Sequence, residues 1–335
     1  METTIEVNEA SQVAEVRRIA AELARAEKMT EAETGRLALV ATEAATNLVK
    51  YGKAGSVTLT RFAEGGQHGV QLVAVDSGPG FADFAAATRD GHSTSGSLGI
   101  GLGVIMRSST FFDVYSVPGE GTAMVSRIAH GAPRKAVVAA VPPFESAARS
   151  TPKKGQAECG DCWSVRDFGK RQRICIVDGL GHGPLAALAS ARAITVFEAA
   201  RLEATPAEII MQAHEQLRDT RGAVMAILAL DREAGSADFC GIGNIAAAIH
   251  LGTDSKHLLS VEGIVGYRVR ATRMHTVPWE PTAVAILYTD GLSGRWGPAR
   301  YPGLLSRHPS LIASVLFRDH ARDTDDATIV VARRS

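Results

Sequence analysis

The sequence predicts an α+β protein built from two domains. Its 335 residues are about twice the usual length of a single domain. Two amphipathic helical segments open the chain and strand-like pairs follow them, whereas the second half is rich in short apolar strands interrupted by two helices. A Gly-Ala-Pro-Arg-Lys stretch at residues 131–135 separates the two patterns and is the best linker candidate. We therefore expect one domain over residues 1–131 and another over residues 136–335.

The first half begins with helical periodicity and continues with hairpins. Helices are predicted over residues 8–28 and 30–51, and the second opens with Thr30 and Glu33, a capping-box pair. Strands over residues 57–62 and 70–75 are separated by a Gly-rich turn and predict a hairpin. A loop over residues 78–97, a short helix from about residue 102 and two further strands, over 111–117 and 122–128, complete this half.

The second half reads as strand hairpins flanked by helices. Strands are predicted at residues 136–141, 163–168, 174–177, 223–230, 237–241, 245–251, 284–289 and 328–332. Helices are predicted at residues 185–203 and 206–218. Hairpins alternating with helices in this way favour a layered α+β sandwich.

Composition narrows the class of partner. Hydrophobic residues make up 45% and charged residues 21% of the chain, so each half can bury a core. Lys and Arg together number 36, as do Asp and Glu, and this zero balance argues against a nucleic-acid partner. The acidic N-terminus does not resemble a signal peptide, and no apolar run approaches the ~18–20 residues of a membrane span. We therefore expect a cytoplasmic protein without a membrane partner. Cys159 and Cys162 form a C-x-x-C pair, but no second such pair completes a zinc site, so we expect ordinary reduced thiols.

The first half carries a motif set suited to a nucleotide. Glu43 and Asn47 are four residues apart on the second helix and share a face, next to a separate apolar stripe. Asp76 ends an apolar strand, and two glycine clusters follow it: Gly78 and Gly80, then Gly99, Gly101 and Gly103. Glycines before a helix N-terminus let backbone N–H groups hold phosphate. The helix alone could present a solvated polar face, but the ordered set predicts a site for a nucleotide and one magnesium ion.

These motifs resemble those of the GHKL ATPase and kinase superfamily. Residues 42–47 match its N box, 76–80 its D-x-G-x-G box and 99–103 its glycine-rich lid box. Residues 99–122 are similar to the small serine-kinase branch, which includes anti-sigma factors, and the resemblance extends from residue 1 to about 130. It implies a GHKL (Bergerat) α/β sandwich that binds ATP and Mg²⁺ and phosphorylates serine or threonine.

The resemblance also implies a role for each matching residue. Glu43 would be the general base and Asn47 the magnesium ligand. Asp76 would hydrogen-bond the adenine amino group. The glycines would line the nucleotide and its lid: Gly78, Gly80, Gly99, Gly101 and Gly103. Lys50 lies on the same stripe as Glu43, and both a phosphate contact and a solvated lysine remain open for it.

The second half carries aspartates at the ends of apolar runs. They are Asp161, Asp178, Asp290 and the pair Asp325-Asp326. An isolated Asp-Gly is usually only a turn. Four in this order can converge on one edge of a sheet, and their hard oxygen atoms suit magnesium or manganese. Two such ions about 3.5–4 Å apart can hold a phosphate and activate a water.

This half resembles the SpoIIE-type phosphatases of the metal-dependent (PPM) phosphatase superfamily. The matching motifs are at residues 158–163, 177–183, 241–244, 288–292 and 325–328, and the match runs from about residue 136 to the end. It implies an α-β-β-α sandwich that binds two Mn²⁺ or Mg²⁺ ions.

The resemblance assigns the ligands as follows. Asp178 would bridge both ions and Gly179 would offer its carbonyl. Asp161, Asp290 and Asp325 would complete the shells, with Asp325 preferred to Asp326 by its place in the D-D-x-T motif. His182 is either a proton donor or a structural loop residue, and Asn244 is interpreted as a turn residue.

Together the two halves predict a bifunctional regulator of bacterial partner switching. The first domain would phosphorylate a STAS-type antagonist or scaffold protein, and the second would hydrolyse phosphoserine or phosphothreonine on the same or a related protein. The alternative is a regulatory binding module, in which ATP shapes a surface that sequesters a sigma factor or a scaffold and only the phosphatase is catalytic.

Overall fold

The computed structural model describes residues 2–64, 66–82, 98–131 and 143–335. The chain divides into two compact units, Met1–Pro142 and Pro143–Ser335. Among the residues that the structure describes, no helix has both the length and the apolar character of a bilayer span. The segment expected as a strand at 136–141, most of the 131–135 linker and most of the 78–97 loop lie outside the described residues.

In the part of the first unit that the structure describes, a five-stranded antiparallel sheet packs with three helices. The strand order is β1-β2-β3-β5-β4, and the main core lies between the sheet and the helices. The elements are β1 (Glu2–Glu6), α1 (Ala10–Ala26), α2 (Glu31–Tyr51), β2 (Ser56–Glu64), β3 (Gln67–Asp76), α3 (Leu98–Ser108), β4 (Phe111–Val117) and β5 (Gly121–Ala129).

Helix α2 begins where the capping box predicts. The Thr30 hydroxyl accepts a hydrogen bond from the Glu33 N–H at 3.3 Å, and the Glu33 carboxylate accepts one from the Thr30 N–H at 2.8 Å. Its apolar stripe is buried in the core: Leu37, Val40, Ala41, Ala44 and Leu48. Burying that stripe leaves Glu43 and Asn47 half-exposed on the neighbouring side of the helix.

The second unit contains two five-stranded antiparallel sheets. One has the order β13-β10-β9-β8-β7 and the other β12-β11-β14-β15-β6. The strands are β6 (Phe144–Thr151), β7 (Asp161–Asp167), β8 (Arg171–Gly179), β9 (Ala223–Asp231), β10 (Ser236–Ile242), β11 (Ala246–Leu251), β12 (Asp254–Leu258), β13 (His275–Pro278), β14 (Val284–Tyr288) and β15 (Ala327–Arg334). The helices are α4 (Pro184–Ala199), α5 (Pro206–Gln216) and α6 (Pro309–His320).

The two sheets pack face to face and the helices cover their outer faces. Apolar side chains from both sheets form one core, including Ile174, Leu228, Leu287 and Val330. Helices α4 and α5 pack on the sheet that contains β7 to β10, and α6 packs on β6 and β15. The α-β-β-α sandwich predicted for this half is therefore confirmed.

Several strands and one helix are not predicted by the sequence pattern. Strand β6 has the sequence Phe-Glu-Ser-Ala-Ala-Arg-Ser-Thr, with few β-branched or large apolar residues, and it is held by its ladder with β15 from Phe144 to Thr151. Helix α6 begins after His308, whose side chain accepts a hydrogen bond from the Ser310 N–H at 3.1 Å, an uncommon N-cap. Strands β1, β12 and β13 are only four or five residues long, too short for a periodicity to emerge.

Candidate functional sites

Three of the predicted nucleotide residues of the first unit line one pocket. It is open to solvent, has a volume of about 690 Å³ and includes Asn47, Asp76 and Gly80. Apolar side chains form much of its wall: Ala44, Leu48, Tyr51, Ala74, Phe81, Leu102 and Met124. A flat heterocycle fits such an apolar slot when a few polar groups orient it.

Asp76 lines this pocket and is the last residue of β3. Its Oδ1 accepts a hydrogen bond from the Gly78 N–H at 2.6 Å, which fixes the turn that follows. A side chain at Gly78 would lie 2.5 Å from the Tyr51 carbonyl oxygen, so only glycine allows this turn to approach α2. Thr122 on β5 is paired with Asp76 and also lines the pocket, a residue that the sequence analysis missed.

Gly101 brings the start of α3 against Glu43 and Asn47. A Cβ built on Gly101 would lie 3.0 Å from Glu43 Oε2 and 3.2 Å from the Asn47 side-chain amide. Gly99, Gly101 and Gly103 lie inside the first turns of α3, not before it, so the expected helix start near residue 102 is wrong. Each glycine weakens a helix by about 1 kcal/mol, and α3 is held instead by packing of Leu102 and Ile105 in the core.

In the second unit the predicted aspartates gather at one end of the sandwich. Asp161 and Asp178 are directly opposite each other across β7 and β8. Asp178, Asp290 and Asp325 line one open cavity of about 1150 Å³. Burial, and after it the charges of Asp161, Asp290, Asp325 and Asp326, raise the pKa of Asp178 to about 8.

Asp161 does not line the cavity and is almost completely buried. Its Oδ2 accepts a hydrogen bond from the Thr289 hydroxyl at 2.7 Å, and the Thr328 N–H donates in turn to that hydroxyl at 2.9 Å. Its Oδ1 is buried without a hydrogen-bond partner among the described residues. Burial raises the pKa of Asp161 to about 7, against the lowering by its hydrogen bonds. A buried oxygen of this kind suits a cation or an ordered water.

The paired aspartates before β15 differ in position. Asp325 is half-exposed and lines the cavity, whereas Asp326 is 3% exposed and accepts a hydrogen bond from the Lys153 N–H at 2.8 Å. The Asp326 backbone N–H donates to Asp325 Oδ1 at 2.9 Å, so the main chain before β15 holds the Asp325 carboxylate. Gly160 is packed against Asp326, since a Cβ there would lie 2.6 Å from Asp326 Oδ2.

The remaining predicted residues take different roles around the cavity. Gly179 packs so closely on α4 that a Cβ would lie 2.2 Å from the Ala186 carbonyl oxygen. His182 is exposed and lines the cavity. Asn244 was interpreted only as a turn residue, but its side-chain amide donates to Asp290 Oδ2 at 2.8 Å. This contact joins residues 46 positions apart, so no local pattern in the sequence predicts it.

The donor set fits divalent ions that keep much of their water. Its atoms are carboxylate oxygens, which suit Mg²⁺ or Mn²⁺. Within the described ranges, no three His, Cys, Asp or Glu side chains form a complete metal-binding cluster by themselves. Waters, backbone carbonyls and substrate oxygens would therefore supply the other ligands, as Mg²⁺ sites commonly allow.

Comparison with known protein families assigns both units. The family described as "Histidine kinase-like ATPase domain" matches residues 7–126, and "Stage II sporulation protein E (SpoIIE)" matches residues 169–335. The serine/threonine-protein kinase RsbT of Bacillus subtilis (strain 168) is 37% identical over 90 residues, which cover 27% of this chain and 68% of RsbT.

The phosphoserine phosphatase RsbX of the same organism is 28% identical over 142 residues, which cover 42% of this chain and 71% of RsbX. The chain belongs to the histidine kinase-like ATPases in its first half and to the SpoIIE family in its second. It is a fusion of an RsbT-like kinase domain and a PP2C-type serine/threonine phosphatase domain, as the motifs predict.

Solved structures resemble the phosphatase domain. One, described as "The bacterial stressosome: a modular system that has been adapted to control secondary messenger signaling", is 26% identical with a TM-score of 0.54 and covers 57% of this chain and 99% of its own. Another is a crystal structure of RsbX in complex with magnesium, which is 24% identical with a TM-score of 0.49 and covers 57% of this chain and 96% of its own. The PP2C-type phosphatase fold expected from the motifs is confirmed.

Proposed function

We propose that this chain both sets and resets a partner switch. A kinase domain at residues 1–131 phosphorylates a serine or threonine of a STAS-type antagonist or scaffold protein, and a phosphatase domain at residues 136–335 removes that phosphate. The observation that carries the proposal is the presence of both motif sets in one chain, with part of each set lining a cavity in its own unit. The similarity of one half to RsbT and of the other to RsbX supports it.

In the kinase domain, ATP would occupy the pocket beside Asp76. The Asp76 carboxylate would accept a hydrogen bond from the adenine amino group, and the apolar wall would enclose the ring. Gly78 and Gly80 would let the backbone approach the nucleotide, and Gly99, Gly101 and Gly103 would line its phosphates. Glycine is needed at these positions because the backbone must come close to the ligand.

Phosphoryl transfer in this domain would depend on α2. Asn47 would hold the Mg²⁺ ion that accompanies ATP, and this ion would neutralise phosphate charge. Glu43, one turn away on the same face, would accept the proton of the substrate hydroxyl. Both side chains contact the start of α3 at Gly101, which supports their acting on the same phosphate.

In the phosphatase domain, Asp178, Asp161, Asp290, Asp325 and the Gly179 carbonyl would hold two Mn²⁺ or Mg²⁺ ions. When bound, such a pair supplies an activated water and stabilises charge on a phosphate ester. The raised pKa of Asp178 supports this assignment, because two dications would offset the repulsion among these carboxylates. Asn244 would orient Asp290 through its hydrogen bond, and Thr289 would orient Asp161.

Two variants of the full chain test the two activities separately. Asp178→Asn with Mg-ATP and purified STAS-domain proteins should accumulate phosphorylated partner. Glu43→Ala should label no partner but should still dephosphorylate one that was phosphorylated beforehand. Glu15→Ala, a change at an exposed position of α1 that does not line the pocket, is the matched control and should behave as the wild type.

The outcome also separates the proposal from the alternative. If Asp178→Asn labels no STAS-domain protein although the chain binds ATP, the kinase proposal is refuted. ATP-dependent capture of a sigma factor or scaffold without labelling would establish the binding module instead. A wild-type chain that hydrolyses no phosphoprotein with Mn²⁺ or Mg²⁺ would refute the phosphatase half.

A further inference from the structure

The phosphatase cavity is rich in carboxylates and poor in cations. Asp178, Asp290, Asp325 and Glu262 line it. Among the described residues that line the cavity, Lys153 is the only lysine or arginine. The substrate of a phosphatase is itself an anion, so the charge around Lys153 matters for how that substrate is bound.

The charges can be counted with the proposed ions in place. The three aspartates and Glu262 carry four negative charges when ionised, and the buried neighbours Asp161 and Asp326 add two more. Two divalent ions contribute four positive charges, which leaves no positive excess. A phosphomonoester dianion entering this cavity therefore needs another cation, and Lys153 has the required sign and position.

Two hydrogen bonds hold the main chain of Lys153 in place. Its N–H donates to Asp326 Oδ1 at 2.8 Å, and its carbonyl accepts from the Gln156 N–H at 2.9 Å, which closes a turn after β6. Asp326 is buried, and its own N–H donates to Asp325 Oδ1. Asp326 thus ties the lysine turn to the cavity carboxylate Asp325.

We infer that Lys153 binds the phosphate group of the phosphoserine or phosphothreonine substrate, and that Asp326 is the residue that positions Lys153. The inference rests on the proposed phosphatase function. An ammonium group serves as a point charge toward phosphate and donates hydrogen bonds to its oxygens. The same interaction would hold inorganic phosphate, the product of the reaction.

The neighbouring lysine provides a matched control. Lys154 carries the same charge one position further along the chain, but its side chain is 80% exposed and lies 3.8 Å from Asp323. It does not line the cavity. If phosphate binding depended only on the total positive charge of this loop, replacing either lysine would weaken it equally. If Lys153 itself binds the phosphate, only the replacement of Lys153 should weaken it.

The test uses the full chain loaded with Mn²⁺. Calorimetric titration with inorganic phosphate gives the Kd, and hydrolysis of p-nitrophenyl phosphate gives kcat and KM. Lys153→Ala should raise both the phosphate Kd and the KM about 10- to 100-fold, the range for a lost charged hydrogen bond. Lys153→Arg should recover most of that loss, Lys154→Ala should stay within twofold of the wild type, and the Mn²⁺ affinity should not change.

A double-mutant cycle tests the role of Asp326. Asp326→Ala removes the oxygen that accepts from the Lys153 N–H. It should weaken phosphate binding in the wild-type background but add little in the Lys153→Ala background, because its effect acts through the lysine. Equal and additive losses would show that Asp326 is only structural and overturn its positioning role.

Different results would overturn the role of Lys153 and the phosphatase function itself. Equal phosphate Kd values for Lys153→Ala and the wild type overturn the role of Lys153 while leaving the phosphatase function intact. A wild-type chain that hydrolyses neither p-nitrophenyl phosphate nor a phosphoprotein overturns the proposed function itself.

Discussion

Replacing Asp178 with asparagine should stabilise the metal-free protein, although it removes a proposed metal ligand. In the folded metal-free chain, burial and four neighbouring aspartates raise the pKa of Asp178 from 3.8 to about 8. The unfolded chain releases this proton near pH 4, whereas the folded chain retains it until about pH 8. Folded protein therefore binds more protons in this window, and its stability falls as pH rises from about 4 to 8.

The size of the stabilisation follows from the shift in the pKa of Asp178. Each pKa unit corresponds to 1.36 kcal/mol, so the interval from 3.8 to pH 7 amounts to about 4 kcal/mol. Asp178 is partly exposed and shares its repulsion with Asp161, so we expect Asp178→Asn to recover about half, roughly 2 kcal/mol at pH 7. The gain should shrink toward zero near pH 4, where wild-type Asp178 is protonated in both states.

The assay is urea denaturation in the presence of a chelator at pH 5, 6, 7 and 8, with the transition of the phosphatase domain followed separately. Asp254→Asn, at an exposed position on β12, is the control and should show no pH-dependent gain. Added Mn²⁺ should stabilise the wild type and not Asp178→Asn. The reasoning is refuted if Asp178→Asn is less stable than the wild type at pH 8 without metal, or if its gain is the same at pH 5 and pH 8.

Three further variants test local features of the fold. Gly101→Val should weaken ATP binding at least tenfold in a fluorescent-nucleotide titration, because even its Cβ would meet Glu43 at 3.0 Å and Asn47 at 3.2 Å; unchanged affinity would contradict the placement of α3. Glu33→Gln should cost about 2 kcal/mol at pH 7 but nothing near pH 2 in thermal melts. Burial raises the pKa of Glu33, but hydrogen bonds lower it more, to about 2, so its stabilisation is present above pH 4.5 and lost on acidification toward pH 2; a pH-independent loss would refute this. Gly291→Ala should cost about 1–3 kcal/mol in urea denaturation, because its Cβ would overlap the main chain before β15, and an unchanged midpoint would contradict that packing.

Local chemistry explains what the sequence could predict. The start of α2 was predictable because Thr30 and Glu33 are three residues apart and satisfy each other's backbone. The end of β8 at the Asp178-Gly179 step was predictable because an apolar run ends there. Such signals lie within a few residues of the structure that they specify.

Long-range contacts explain what the sequence could not predict. Lys153 meets Asp326 across 173 positions, and Thr289 meets Asp161 across 128. Strand β6 is weakly apolar and owes its form to the β15 ladder. These features depend on which edges the sandwich brings together, and no periodicity in a single segment encodes that.

Following one partner protein through both reactions tests the account most directly. A purified STAS-domain protein would be incubated with Mg-ATP and Mn²⁺ and either the wild type, Glu43→Ala or Asp178→Asn, and its phosphorylated fraction measured by intact-mass spectrometry over time. We expect phosphorylated partner to accumulate with Asp178→Asn, none to form with Glu43→Ala, and an intermediate steady level with the wild type that falls once ATP is exhausted. A partner that Asp178→Asn phosphorylates but the wild type never dephosphorylates would contradict the claim that one chain sets and resets the same switch.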